Sequence, residues 1–185
     1  MTTADVMIVG EGRWGVAAGL GVRKEGVPRV VRREREAELG GAPRDCAHSR
    51  FGMREFGRVY CGAAYGRRLE RAAHKAGLDI RTGHAVTAIQ PHGVVQVVSA
   101  HGTQTLHARR VLVMTGARER SRAARLLPGD RPQGVITTGT LQAGLAFHRL
   151  RPFRRPVILG TELVSLSALL TCLTHGIRPV AMIET

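Results

Sequence analysis

Val6-Met7-Ile8-Val9-Gly10-Glu11-Gly12-Arg13-Trp14-Gly15 decides the fold. Four apolar residues read as a buried strand, and the G-x-G-x-x-G run that follows opens a helix predicted over Trp14 to Lys24 and closed by Gly26. Each glycine has its own task in such a turn. Gly10 permits the tight bend, Gly12 lets the backbone approach a pyrophosphate, and Gly15 lets the helix lie close on the strand. The free N–H groups and positive dipole end of the helix then face the phosphates. Val30 and Val31 begin a second strand that ends at Glu34, about twenty residues on, where a carboxylate accepts hydrogen bonds from a ribose. The unit is a βαβ built for the ADP part of a dinucleotide.

Two features depart from the usual pattern. Arg13 and Trp14 occupy positions commonly held by small residues or proline, and either contacts the phosphate or ribose region or is a neutral departure. Arg32 and Arg33 lie in the second strand, so that one of them is expected to face the covered side of the sheet.

Downstream, residues 35–61 carry Gly40-Gly41, Pro43 and mixed charges without periodicity, and are expected to form a long functional loop. A helix is predicted over Ala63 to Ala76, with Leu69, Ala72, Ala73 and Ala76 on one side, followed by a strand at Asp79 to Arg81. Ala85 to Ile89, Val94 to Ser99 and Gln104 to Leu106, separated by turn residues, predict an antiparallel meander. Val111-Leu112-Val113-Met114 reads as a buried parallel strand. After a loop over 117–134 and a helix over Leu141 to Leu150, the run Arg151-Pro152-Phe153-Arg154-Arg155-Pro156 reads as a linker. Val157 to Leu159, Leu163 to His175 and Val180 to Ile183 then repeat strand, helix and strand.

Gly10 to Gly15 with Glu34 and Gly40-Gly41, the segment Pro43 to Phe56, the run Arg110 to Arg120 containing Thr115-Gly116, and Gly129 to Gly139 together resemble the FAD-binding alpha subunits of amine-oxidising bacterial complexes: opine oxidase, hydrogen cyanide synthase and related amino-acid dehydrogenases. The resemblance spans essentially the whole chain. It implies an α/β fold in which a Rossmann-like FAD-binding domain, a parallel sheet with an antiparallel meander, occupies 1–150, and an incomplete second dinucleotide-binding βαβ unit occupies 151–185. It also implies an FAD-dependent oxidoreductase or oxidoreductase subunit that oxidises amines or imino acids. The expected cofactor-binding residues are Gly10, Gly12, Arg13, Trp14, Gly15, Glu34, Arg35, Gly41, Thr115 and Gly116. Catalytic residues are not assigned; His48, Cys46 and Arg54 are candidates because the resemblance brings their loop toward the flavin, with a loop held by hydrogen bonds as the favoured alternative.

The second βαβ keeps only Gly160 of the glycine pattern, with Glu162 and Ser165 in the other two places. A carboxylate at that helix N-terminus competes with a pyrophosphate for the same N–H groups, so NAD(P) is not expected there. The alternative to an enzyme is a truncated, non-catalytic fragment or scaffold, whose Leu163, Val164, Leu166, Leu169, Leu170 and Leu173 would be left uncovered and favour self-association or a partner chain.

Composition bounds the remaining classes. A net charge of +14 raises nucleic acid as a partner, but the arginines are scattered and no aromatic platform, helix-turn-helix or zinc spacing accompanies them, so specific nucleic-acid binding is not expected. The charge suits an anionic dinucleotide or an acidic partner. Cys46, Cys61 and Cys172 form no C-x-x-C, which argues against a disulfide-reductase mechanism, and the histidines show no metal-ligand spacing. No long apolar run predicts a membrane span, and the opening five residues lead straight into a strand, from which a cytoplasmic location is expected.

Overall fold

In the computed structural model, which describes residues 4–10, 12–36, 39, 41–46, 48–130 and 132–184, alternating apolar strands and small-residue helices set the order of elements. These are β1 (Ala4–Val9), α1 (Arg13–Lys24), β2 (Val30–Arg33), β3 (Ser49–Phe51), α2 (Met53–Phe56), β4 (Tyr60–Cys61), α3 (Gly62–Lys75), β5 (Asp79–Arg81), β6 (Ala85–Gln90), β7 (Val94–Ser99), β8 (Gly102–Val113), α4 (Thr138–His148), β9 (Val157–Leu159), α5 (Leu163–Thr174) and β10 (Ala181–Ile183). They group into two compact units, 1–41 with 66–116 and 42–65 with 117–185.

The first unit is organised by a six-stranded sheet of order β5-β2-β1-β8-β7-β6. β1 pairs in parallel with β2 and with β8, and β2 with β5. β6, β7 and β8 are antiparallel. The fold is thus the expected Rossmann-like parallel sheet with a meander. The two segments predicted at 104–106 and 111–114 are one twelve-residue strand, β8. The intervening His107-Ala108-Arg109-Arg110 contains no Gly or Pro to break it, and Leu106 and Ala108 are buried in the core with Ala4, Met7, Val31, Val95 and Val97. β8 therefore serves the parallel and antiparallel parts at once. Val113 at its end stays 56% exposed, although an apolar run of this kind was expected to be covered.

α1 covers the sheet with Gly15, Val16 and Gly19. A Cβ at Gly19 would lie 3.0 Å from Leu78 Cδ1 and 3.2 Å from Arg32 Cδ, so the small residue gives the long arginine stem room beneath the helix. Both strand arginines are buried, Arg32 fully and Arg33 at 7% exposure, where one was expected to be. Burial also lowers the Arg33 pKa, against the carboxylate of Asp79 and with the help of Arg81. The predicted apolar side of α3 holds, with Leu69 and Ala73 buried.

In the second unit, the segment expected to be an irregular loop contains a 3₁₀ turn at Ala42–Asp45, the helical turn α2 and the antiparallel pair β3–β4. Aromatic packing replaces periodicity there: Phe51 stacks on Tyr65 at 5.6 Å, and Phe56 meets Tyr60 and Tyr65 edge-on. Tyr65, 1% exposed, also donates to Glu55 Oε1 at 3.2 Å. Thr137 caps α4, its hydroxyl oxygen accepting from Thr140 N. Leu141 and Leu145 of α4 pack with Cys172 and Ile177. β9 and β10 form a two-stranded parallel sheet in the register Val157↔Ala181 to Leu159↔Ile183, with α5 as the crossover. Among the described residues no helix is long and apolar enough to cross a membrane.

Candidate dinucleotide site

β1 ends at Gly10 in a φ of +104°, which only glycine adopts without strain. A Cβ here would stand 2.5 Å from the Met114 carbonyl oxygen and 3.2 Å from Thr115 Cα. The Gly10 turn and the Thr115-Gly116 turn, some hundred residues apart in sequence, are thus in backbone contact, because β1 and β8 are neighbours and end together. Met114 N donates to Val9 O at 2.8 Å, and Gly10 N to Arg33 O at 2.9 Å, fixing the ends of β8, β1 and β2 against one another.

The three glycines meet different surroundings. A Cβ at Gly15 would collide with the Gly10 carbonyl oxygen, so that position is set by packing of the helix on the turn. Among the described residues, a Cβ at Gly12 would meet nothing within 4 Å. Gly12 has an extended conformation (φ −62°, ψ 176°) open to any residue, so neither its backbone nor the packing of the described residues demands glycine there. As N-cap of α1 it contributes no side chain, and the first turn of α1 carries no acidic residue, so neither competes for the N–H groups of that turn. Gly41 closes on the same point: its Cβ would lie 2.7 Å from Gly12 Cα.

Glu34 follows directly on β2, held by Glu34 N donating to Arg81 O and by His84 N donating to Glu34 O. Its Oε1 accepts from Glu36 N at 2.9 Å, which turns the carboxylate into its own loop. Arg35 is exposed and pairs with Glu36 at 2.9 Å. Arg13 and Trp14 lie on the surface, the Arg13 guanidinium 4.9 Å above the indole ring, and Trp14 is 59% exposed. In the first unit, Gly10, Gly12, Gly15 and Gly41 meet at the turn after β1, Thr115-Gly116 follow β8 beside Gly10, and Glu34 directly follows β2. Glu11, Gly40, Ala47 and Arg131 of the sequence motifs lie outside the described residues.

The second βαβ repeats the turn with a different N-cap residue. Gly160 has φ +109°, nearly that of Gly10, and Gly160 N donates to Ile183 O at 2.7 Å as Gly10 N does to Arg33 O. At the N-cap of α5, however, stands Glu162, whose Oε2 lies against Gly160 where a Cβ would be, with Ser165 Oγ 2.8 Å from the same point. Arg125 Nη2 donates to Glu162 Oε1 at 2.8 Å. That hydrogen bond, then the residue's own N–H and the Ser165 hydroxyl, hold the Glu162 carboxyl down at about 2. Arg125 itself is brought there by the Arg122 guanidinium, which donates to the carbonyls of Leu127, Pro128 and Gly129 and gathers the 117–134 loop. Glu184 accepts from the Thr161 hydroxyl.

The loop candidates find partners within the second unit. His48 Nδ1 lies 3.2 Å from the Ser49 carbonyl oxygen, to which it donates, and Nε2 is hydrogen-bonded with the Ser167 hydroxyl at 3.0 Å. Gln142 Nε2 donates to Ser167 Oγ at 2.9 Å and to Thr171 Oγ1 at 3.1 Å. These contacts fix the orientation of the His48 ring. Burial, and then the Asp45 carboxylate, push the Cys46 thiol up, while Arg54 is exposed. Neither the Ser167 contact nor the Arg125–Glu162 pair left a sequence signal, since each joins residues with no shared motif. Among the described residues no three His, Cys, Asp or Glu side chains converge as metal ligands.

A strand, a glycine turn, an uncapped helix and a second strand ending in an acid, beside a third parallel strand ending in Thr-Gly, define the Rossmann-like fold of FAD- and NAD-binding proteins. Solved structures share it. L-proline dehydrogenase from P. horikoshii superposes with a TM-score of 0.75 at 18% identity, over 96% of this chain and 35% of that one. The ornithine N-hydroxylase of Kutzneria sp. 744, solved with reduced FAD, NADP+ and L-ornithine, matches with a TM-score of 0.75 at 18% identity, over 98% of this chain and 53% of that one. Among curated proteins, an opine oxidase subunit from Rhizobium meliloti (strain 1021) is 28% identical over 189 residues, covering all of this chain. The chain spans 39% of the length of that relative. No family model matches the chain.

Proposed function

We propose that this chain binds FAD through its first βαβ unit and works as an oxidoreductase, or a subunit of one, that oxidises amines or imino acids. One observation carries the reading: Gly12 is glycine where, among the described residues, the protein's own packing leaves space for a side chain. A dinucleotide pyrophosphate at the bare N-terminus of α1 needs that space. Gly10, Gly12, Gly15 and Gly41 would form the cradle, Glu34 would hold the adenosine ribose, Thr115 and Gly116 would flank the cofactor, and Arg13, Trp14 and Arg35 would rim it. When bound, the flavin supplies the electron chemistry, and the protein's part is to position it. The substrate class rests on the likeness to the opine oxidase subunit and on the fold shared with L-proline dehydrogenase. That the relative is one subunit of an oxidase favours a partner chain here as well. A cytoplasmic location and a boundary at 150/151 belong to the same reading.

NAD(P) is not a ligand of the second βαβ in this account, because the Glu162 carboxylate, ion-paired with Arg125, stands at the turn a pyrophosphate would use. To test the activity, proline and opine-type secondary amines are added anaerobically to the FAD-loaded protein. Bleaching of the visible flavin band is expected. A spectrum that keeps its flavin but ignores every amine would favour the non-catalytic alternative, which the exposed leucines of α5 support.

A further inference from the structure

The amino ends of β9 and β10 carry a cleft of about 700 Å³ lined by Arg151, Arg154, Arg155 and Arg178, with Gly176, Pro179 and Val180. It lies at the edge opposite the Gly160 turn, because β9 runs from Val157 beside the cleft to Leu159 beside Gly160. The backbone forces the cations together. Arg178 N donates to Arg154 O at 3.2 Å and Val180 N to Pro156 O at 2.9 Å, so the β9–β10 ladder extends back through both arginines. The Arg151 guanidinium is anchored on the Gly176 carbonyl after α5. Among the described residues no carboxylate lines the cleft, and none pairs with any of the four guanidiniums. Like charges on neighbouring strands oppose the pairing that brings them together. An outside anion removes that conflict.

We infer that this cleft docks an acidic segment of a partner protein. All four arginines are exposed, so the cleft is open and does not enclose a small ligand as a pocket site would. Val157 and Val180, 48% and 50% exposed, add apolar surface beside the guanidiniums, the mixture of arginine and aliphatic groups found at protein interfaces. The arginine fork matches carboxylates in pairs. No aromatic ring lines the cleft to stack a base, which disfavours single-stranded nucleic acid.

The test measures binding of a hexaglutamate peptide to the intact chain at moderate and high salt. It compares Arg154→Gln/Arg178→Gln with a charge-matched control, Arg67→Gln/Arg71→Gln, on the exposed residues of α3. Saturable binding is expected, weakened at least tenfold in the cleft variant and unchanged in the control, with folding of both checked by circular dichroism. Equal loss in the two variants, or no saturable binding, would overturn the proposal. So would tripolyphosphate or an oligonucleotide binding more tightly than the peptide with the same dependence on Arg154 and Arg178. FAD affinity is read in parallel on every variant and is expected to stay constant.

Discussion

Gly10, Gly12 and Gly15 are glycines for different reasons, and the reasons separate by experiment. Gly15→Ala drives a methyl group into the Gly10 carbonyl oxygen, and overpacking of this kind costs about 1–3 kcal/mol, so its melting temperature is expected to fall by several degrees in a thermal scan. Cys46 is expected to react with iodoacetamide more slowly at neutral pH than the exposed Cys61, because burial and Asp45 hold its thiol protonated; mass spectrometry after timed alkylation reads both. Faster labelling of Cys46 would reopen its candidacy as a reactive group. The glycine pattern was legible in the sequence because each position answers to a local rule. The setting of His48 was not, since its partner Ser167 is 119 residues away.

At the scale of elements, β2 carries an arginine where a parallel strand ordinarily has an aliphatic residue. Arg32 is fully buried beneath α1, and a buried guanidinium brings a desolvation cost that an apolar side chain avoids. Arg32→Met is expected to raise stability by about 1–3 kcal/mol, measured by urea unfolding. A loss of that size would mean that the guanidinium's contacts outweigh its desolvation. The turn between β9 and α5 gives a second expectation. The Glu162 carboxyl is depressed from 4.5 to about 2, so its stabilising contribution is present above pH 4.5 and is lost as pH falls toward 2. Arg125→Gln removes the largest cause, and the Glu162 midpoint in an NMR titration is expected to move up. An unmoved midpoint would place the cause elsewhere. Sequence periodicity found β5, β6, β7 and β9 within a residue, because turn residues bound them. It divided β8, where continuity depends on pairing with both β1 and β7, and it missed the β3–β4 pair, which aromatic contacts hold in place of an alternating pattern.

For the whole molecule, charge and exposed apolar surface point the same way. Leu163, Val164, Leu166, Leu170 and Leu173 of α5 are between 45% and 80% exposed. A surface of that kind marks an interaction site. The purified chain is accordingly expected to self-associate or to run with a partner in light scattering after gel filtration, and a monodisperse monomer would contradict this. The parallel sheet and its glycine turn were readable in the sequence because a single motif encodes both. The acid at the second turn was readable from Glu162 in the sequence, whereas its partner Arg125 came from a loop without periodicity.

The most direct test of the dinucleotide site compares FAD binding to the wild-type chain and to Gly12→Val, by visible absorption after gel filtration and by titration calorimetry. A Cβ at Gly12 has no neighbour within 4 Å among the described residues, so the variant is expected to fold, with valine costing about 1 kcal/mol or less as an N-cap. Wild type is expected to retain flavin bands, and the folded variant to emerge colourless with no heat of binding. Undiminished FAD affinity in folded Gly12→Val, or a wild-type chain that never takes up FAD, would contradict the assignment.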